Sequence, residues 1–354
     1  MTENQYGGVL QSLTKVFAGR VKRSPLRDGS RVAGVLASVQ PSTAEEVSYL
    51  AQVAARYSLP LVPLGAETGP EPRPPEGSIL IRFDLMRGIR LPEGDEPWVE
   101  AGPGATWLNL EDELRVRGRG LAVYPTSAPR ATVGGWLATD GVGVGAFEFG
   151  RLWDNVLSVK VVMLGGELRE VEREELNRLF GPEKQANRIV VGARLRTRHA
   201  HTDRPFAATF SESGGVAGAV AALVASEAPL WHLAFVNPTM AAARGLKEDY
   251  MLFGAYPSTR DTEAWGRERS RVFTEHGGTE LEDREAWRIW GERFFPVAPS
   301  HPTPEPADRV LADAKDLPKV LERLKRKAVQ GTVARSGEVL VLAFEEGLAE
   351  GWSR

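Results

Sequence analysis

The sequence contains no cysteine. That removes thiolate nucleophiles, CxxC redox pairs, Cys-ligated zinc and iron–sulfur clusters, and any disulfide framework of the kind that marks small secreted domains. Charge of one sign is also lacking: 44 Lys+Arg stand against 47 Asp+Glu, a formal net charge of −3. Without a long Lys/Arg block there is no electrostatic footprint for nucleic acid, whose binding depends on neutralising phosphates. No window reaches the ~18 consecutive apolar residues of a membrane span, and residues 1–10 lack the basic and apolar regions of a signal peptide, so a cytoplasmic protein with no membrane span is expected. There is no fixed-period repeat, no GxxxxGK[ST] and no clean GxGxxG opening a helix, which disfavours a P-loop NTPase and a single Rossmann site.

What is abundant is glycine and proline, 37 and 24 residues, gathered into discrete loops. A length of 354 residues suggests about two or three domains able to bury their own cores. Gly34–Gln40 reads as a strand, followed by a helix with a capping box at Ser42 and Glu45 and an apolar face of Val47, Leu50, Ala51 and Ala54. Leu61–Pro63 and Ser78–Phe83 complete a strand–helix–strand–loop–strand unit whose Gly/Pro-rich loop, Leu64 to Gly77, leaves the C-terminal end of a strand. A second unit has a strand at Trp98–Ala101, a helix over Thr106–Arg117 capped by Gly118, a glycine-rich stretch from Tyr124 to Gly150, a hairpin of Asn155–Leu164 with Glu167–Val171, and a strand at Arg188–Arg196. The stretch from Tyr124 to Gly150 is too glycine-rich for a regular element, which predicts a backbone that something approaches closely. Polar Thr197–Arg204 is the expected boundary. Beyond it strands (Pro205–Phe210, Leu230–Val236, Tyr250–Tyr256, Val310–Ala314, Gly331–Arg335, Glu338–Phe344) and helices (Gly214–Ser226, Asp261–His276, Pro318–Lys327) predict an α+β sandwich. Pro296–Pro306 reads as a loop or linker.

Two glycine-rich loops that each follow an apolar strand suit a phosphate. Glycines allow positive φ and remove Cβ atoms, so main-chain N–H groups can converge on an anion while Ser and Thr hydroxyls add donors. The series PSTAEEV, LPLVPLG, DLMRGI, WVEAGPGATW, PTSAPRATVGGWLATDGVGVG, FGRLWDNVLSVKVVMLGGEL, NRLFG and GARLRTR, over residues 30–197, resembles the FAD-binding domain of the vanillyl-alcohol oxidase / p-cresol methylhydroxylase (PCMH-type) family. Within it the likeness is strongest to the FAD-binding subunits of glycolate oxidase and related D-2-hydroxyacid dehydrogenases. The resemblance implies an α+β fold: an N-terminal segment (1–29), a two-subdomain FAD-binding PCMH-type domain (30–197) and a ferredoxin-like α+β cap (198–354). It further implies non-covalent FAD held by Gly65, Ala66, Glu67, Thr68 and Gly69 of the first loop, and by Pro125, Thr126, Ser127, Ala128, Thr132, Val133, Gly134, Gly135 and Thr139 of the second. Ile189 and Val190 would present backbone to one end of the cofactor. Longer relatives continue where this sequence stops, at Arg354.

The chain departs from the family in the first loop and at Arg188. Pro63-Leu64-Gly65-Ala66-Glu67-Thr68 stands where the first loop usually reads Pro-Arg-Gly-Gly-Gly-Thr, so an arginine is lost and an acid gained. A carboxylate ~5 Å from a phosphate at an effective dielectric of ~20 costs on the order of 3 kcal/mol. Glu67 therefore either turns away or weakens FAD binding. Arg188 stands where a glycine is common.

No residue is assigned as the catalytic base. Of the five histidines, His199 and His201 could ligate a metal, yet a solvated linker pair is the plainer reading, and no metal site is expected. His232 is a base candidate by position, against a hydrogen-bonded, half-buried role; His276 reads as a helix C-cap cation, and His301 has no role. Arg130 and Arg151 flank the glycine-rich loop and suit either a carboxylate clamp or ion pairs. Trp136, Trp153 and Trp231 read first as packing, with Trp136 placed to line the flavin. The resemblance thus implies oxidation of a small 2-hydroxy acid such as glycolate or lactate by hydride transfer to FAD, beside a larger flavoprotein subunit and an iron–sulfur subunit. The alternative is a non-catalytic scaffold subunit that has lost tight FAD binding, and a MurB-like NADPH reductase is a third reading.

Overall fold

The computed structural model describes residues 3–23, 26–27, 30–31, 34–68, 74–179, 187–258, 262–294 and 306–345. Its first sheet runs in the order Val21–Arg23, Val35–Val39, Ser78–Arg82, Leu61–Leu64, the last three parallel to one another. The helix Ala44–Tyr57 makes the crossover between two of these parallel strands. Its N-cap is Thr43, whose Oγ1 accepts from the Glu46 N–H at 3.2 Å, while the Ser42 N–H donates back to Glu46 Oε2 at 2.6 Å. The reciprocal pair thus sits one residue later than Ser42 and Glu45, because Arg20 grips the Glu46 carboxylate at 2.6 Å and fixes it there. Val47, Leu50 and Ala51 are fully buried, packed with Val9, Leu13 and Phe17 of a helix at Glu3–Phe17 that the periodicity of the sequence did not single out. Each large apolar side chain buried this way contributes about 1.5–3 kcal/mol.

The second sheet is antiparallel, in the order Leu168–Glu172, Val156–Met163, Arg188–His199, Trp98–Ala101, Ile89–Arg90. Its spine is longer than expected. Arg188–His199 pairs with Val156–Met163 on one side and with Trp98–Ala101 and then Arg119–Leu121 on the other, and these partners carry it through Thr197 to His199. The polar stretch 197–204 is therefore largely strand, with the next strand starting at Asp203. Within Tyr124–Gly150, two short helices form, Val133–Thr139 and Ala146–Phe149, where the glycine content had suggested no regular element. The first is possible because Thr132 caps it and Asp140 ends it at φ +53.

The C-terminal part is a seven-stranded antiparallel sheet: Gly278–Glu280, Asp203–Phe210, Tyr250–Pro257, His232–Val236, Ala328–Val333, Glu338–Phe344, Asp308–Asp313. Alternation along His232–Val236 splits its side chains. Leu233 and Phe235 pack with the helices Ser213–Ala225 and Leu317–Arg323, whereas Ala234 and Val236 pack with Pro238–Ala243 and Asp283–Gly291, two helices absent from the sequence reading. Trp231, Ala255, Trp290 and Leu340 join the buried cluster of the second sheet, so the C-terminal sheet lies directly against it.

Candidate functional site

The first loop leaves the C-terminal end of the parallel strand Leu61–Leu64, and the second follows Tyr124, which is 2% exposed and bridges to Val144. The two loops meet backbone to backbone. A Cβ placed on Gly65 would lie 2.9 Å from Thr132 Oγ1 and 3.3 Å from the Gly135 Cα, and one on Gly135 would lie 3.7 Å from the Gly65 Cα. No other residue type fits that approach without displacing Thr132. Thr132 is itself fixed: its Oγ1 accepts from the Gly135 N–H (3.3 Å) and its carbonyl accepts from the Trp107 indole (3.1 Å). Gly134 donates to the Pro103 carbonyl at 2.9 Å, tying the loop to the end of the second sheet.

Two cavities adjoin this contact and share Pro63, Leu64, Gly65, Gly135 and Ala138. The larger, of about 310 Å³, is lined by Gly65, Ala66, Glu67 and Thr68 on one wall and by Pro125, Thr126, Ser127, Thr132, Gly135 and Thr139 on the other. Pro306, just before the strand Asp308–Asp313, closes it together with Arg309, Leu340 and Leu342 of the C-terminal sheet. The smaller, of about 220 Å³, is lined by Phe83, Gly134, Leu137, Arg188 and Val190. Ala128, Val133 and Ile189 do not reach either cavity: they are fully or nearly fully buried in the cores beneath. Strand alternation accounts for Ile189, since Arg188 and Val190 point one way and Ile189 the other. Gly69 lies outside the described residues. Arg309, Leu340 and Leu342 were not singled out in the sequence, because only the sheet register carries them to the cavity.

Glu67 holds φ +55, the left-handed region that favours glycine, so the loop keeps a glycine-like path despite the acid. Its charge is felt by Arg82, which it helps to hold above the ordinary arginine value after the dominant Asp84 hydrogen bond. Arg309 enters from the strand Asp308–Asp313 and its Nη2 donates to the Asp140 carbonyl at 2.5 Å. The Asp140 carboxylate is taken by Arg151 (2.6 Å), which also reaches Glu338 (3.1 Å), so Arg151 serves as an ion pair between the sheets rather than a clamp. Burial pushes the Asp140 carboxyl up from its usual value, more than Arg151 pulls it down. Burial also lowers Arg309 and Arg188.

His232 does not line the cavities. It is 0% exposed, boxed by Trp231, Phe253 and Trp290, and neither ring nitrogen has a hydrogen-bond partner. Burial, with Arg293 adding to it, pushes its pKa down to about 3, so the ring is neutral; the expected hydrogen-bonded, half-buried role is corrected. His199 is exposed and His201 half-buried, and no cluster of three metal-ligating side chains occurs among the described residues. His276 follows the helix Thr262–Glu275 as its capping residue, with its N–H on the Val272 and Phe273 carbonyls. His301 lies outside the described residues. Arg130 is half-buried, Trp153 half-buried and Trp231 in the core, whereas Trp136 lines the larger cavity, edge-on to Trp107 at 5.0 Å. No helix among the described residues is long and apolar enough to cross a membrane.

Residues 35–172 match the family described as FAD binding domain. A mitochondrial D-lactate dehydrogenase (cytochrome) of Arabidopsis thaliana is 33% identical over 132 residues, 37% of this chain and 23% of that protein. A D-lactate dehydrogenase of Archaeoglobus fulgidus is 30% identical over 168 residues, 46% of this chain and 38% of that protein. A D-2-hydroxyglutarate dehydrogenase of Escherichia coli is 32% identical over 140 residues, 38% and 14% respectively. The matched stretch thus spans well under half the length of each of these relatives. Among solved structures, p-cresol methylhydroxylase with substrate bound superposes with a TM-score of 0.77 at 13% identity, over 98% of this chain and 84% of that one. An alkyldihydroxyacetonephosphate synthase gives 0.73 at 15% identity, over 98% and 79%. These last likenesses are of fold.

The residues present fit FAD. The contact between Gly65 and Gly135, with no Cβ on either, lets the two glycine-rich loops meet main chain to main chain, and the two cavities that adjoin it offer room for a dinucleotide laid along them.

Proposed function

We propose that this chain, whose residues 35–172 match an FAD binding domain, is an FAD-dependent oxidoreductase acting on a small 2-hydroxy acid such as lactate or glycolate. The observation that carries the reading is the larger cavity, which is closed on one side by glycine-rich main chain and on the other by Arg309 with Leu340 and Leu342. Bound FAD supplies the hydride acceptor. On the protein side, Thr126, Ser127 and the first-loop main chain orient the cofactor, Leu340 and Leu342 exclude water, and Arg309 offers a cation to the substrate carboxylate. The seven-stranded sheet plays the part of a ferredoxin-like cap, with the chain divided into 1–29, 30–197 and 198–354. The sequence resemblance supports FAD contacts from Gly65 to Gly69, from Pro125 to Ser127, at Thr132, Gly134, Gly135 and Thr139, and at Val190, with Ala128, Val133 and Ile189 held in the cores beneath. It also supports work beside a larger flavoprotein subunit and an iron–sulfur subunit.

The test is anaerobic mixing of FAD-loaded protein with D-lactate, glycolate or D-2-hydroxyglutarate. Bleaching of the oxidised flavin band is expected, with Arg309→Met raising the KM for the hydroxy acid about 10-fold or more through loss of a charge-assisted hydrogen bond. Reduction by NADPH alone would favour the MurB-like reading. Glu67 in the first loop favours the scaffold reading, and its signature is a protein that stays colourless when FAD is added.

A further inference from the structure

The smaller cavity is walled by Pro63, Leu64, Phe83, Leu137 and Val190, all apolar, and Arg188 brings to it a charged side chain. Its position is set by the backbone. Arg188 opens the long strand, paired with Met163, and alternation sends Ile189 into the core beneath while Arg188 and Val190 face the cavity. The cation therefore stands on the sheet and lines the same cavity as Gly65 and Gly135, which with Pro63, Leu64 and Ala138 are common to both cavities. Burial already disfavours its charge, so an anion entering beside it is met by a guanidinium only partly solvated. Glu67, an exposed residue of the first loop, lines the larger cavity and adds negative charge to that loop. A dinucleotide laid across the Gly65–Gly135 contact places its doubly charged bridge between these two groups. Its adenosine half falls in the smaller cavity, because the larger one is the one closed by the C-terminal sheet.

We propose that Arg188 is the residue that binds the adenosine-side phosphate of FAD and offsets the acid that Glu67 brings to the first loop. This rests on the flavin reading above, and binding measurements separate the two. The full-length protein, stripped of flavin, is titrated calorimetrically with FAD, ADP, adenosine and riboflavin. For Arg188→Gln, FAD and ADP affinities are expected to fall about 10- to 100-fold, as for loss of a charge-assisted hydrogen bond, with adenosine and riboflavin unchanged. Arg188→Lys, which keeps the charge without the fork, should recover part of the loss. Thermal melting of both variants checks that the strand has formed. If Arg188→Gln binds FAD and ADP as the wild type does, the inference is overturned alone. An equal loss for adenosine and ADP also overturns it, by placing the contact on the base. Wild-type protein that takes up neither FAD nor ADP overturns the flavin reading, and this inference with it.

Discussion

At the scale of single residues, His232 is the position where physical chemistry most constrains behaviour. Its ring is fully buried among aromatics with two unpaired nitrogens, and its pKa is pushed down to about 3. A folded pKa below the ordinary histidine value means that the native state stays neutral while the unfolded chain gains a proton. The associated stability is present above about pH 6.5 and is lost as the pH falls toward 3. Between pH 7 and pH 5 the loss amounts to about 2 kcal/mol for one such proton. His232→Phe should therefore be at least as stable as the wild type at pH 7 and flatten the decline to pH 5, read from denaturant unfolding at both pH values. An unchanged decline would show that the ring is already charged or solvated. The sequence pointed to a hydrogen-bonded, half-buried histidine ahead of a base, and only the packing of Phe253 and Trp290 around the ring makes the burial complete and leaves its nitrogens without partners.

At the scale of elements, the two loops were legible because their composition has a mechanical meaning. Gly65, Gly134 and Gly135 sit where a Cβ would meet Thr132 or Pro103, which is the close approach that glycine-rich stretches forecast. Less legible were the ends of elements. The capping pair moved from Ser42 and Glu45 to Thr43 and Glu46 because Arg20, twenty-odd residues earlier in the chain, fixes the Glu46 carboxylate. The strand expected to stop at Arg196 runs to His199 because Arg119–Leu121 pairs with its end. Both are non-local effects, invisible to periodicity. Gly65→Val tests the loop contact: the new side chain meets Thr132 Oγ1 and the Gly135 backbone, so FAD affinity should drop about 10-fold or more, with a stability loss of about 1–3 kcal/mol. Gly88→Ala, where a Cβ meets nothing within 4 Å, should change neither. Equal affinities for the two variants would mean that the contact is not part of the cofactor site.

At the scale of the whole molecule, the cavity is a product of three sheets. The parallel sheet supplies Gly65 to Thr68, the second sheet supplies Thr132 to Thr139, and the seven-stranded sheet supplies Arg309, Leu340 and Leu342. The last contribution could not be read from the sequence, since Arg309 reaches the Asp140 carbonyl across 169 residues of chain. The Arg151 pairs with Asp140 and Glu338 fasten the same junction, tying the C-terminal sheet to the end of the glycine-rich helix. The most direct measurement is flavin binding by the full-length protein, followed by quenching of flavin fluorescence and by release of the bound flavin with acid. Saturable, stoichiometric uptake of FAD, released intact by acid and weakened in Gly65→Val, is the predicted result. Protein that leaves FAD fluorescence untouched, at concentrations where the fold is intact, would contradict the account at its centre.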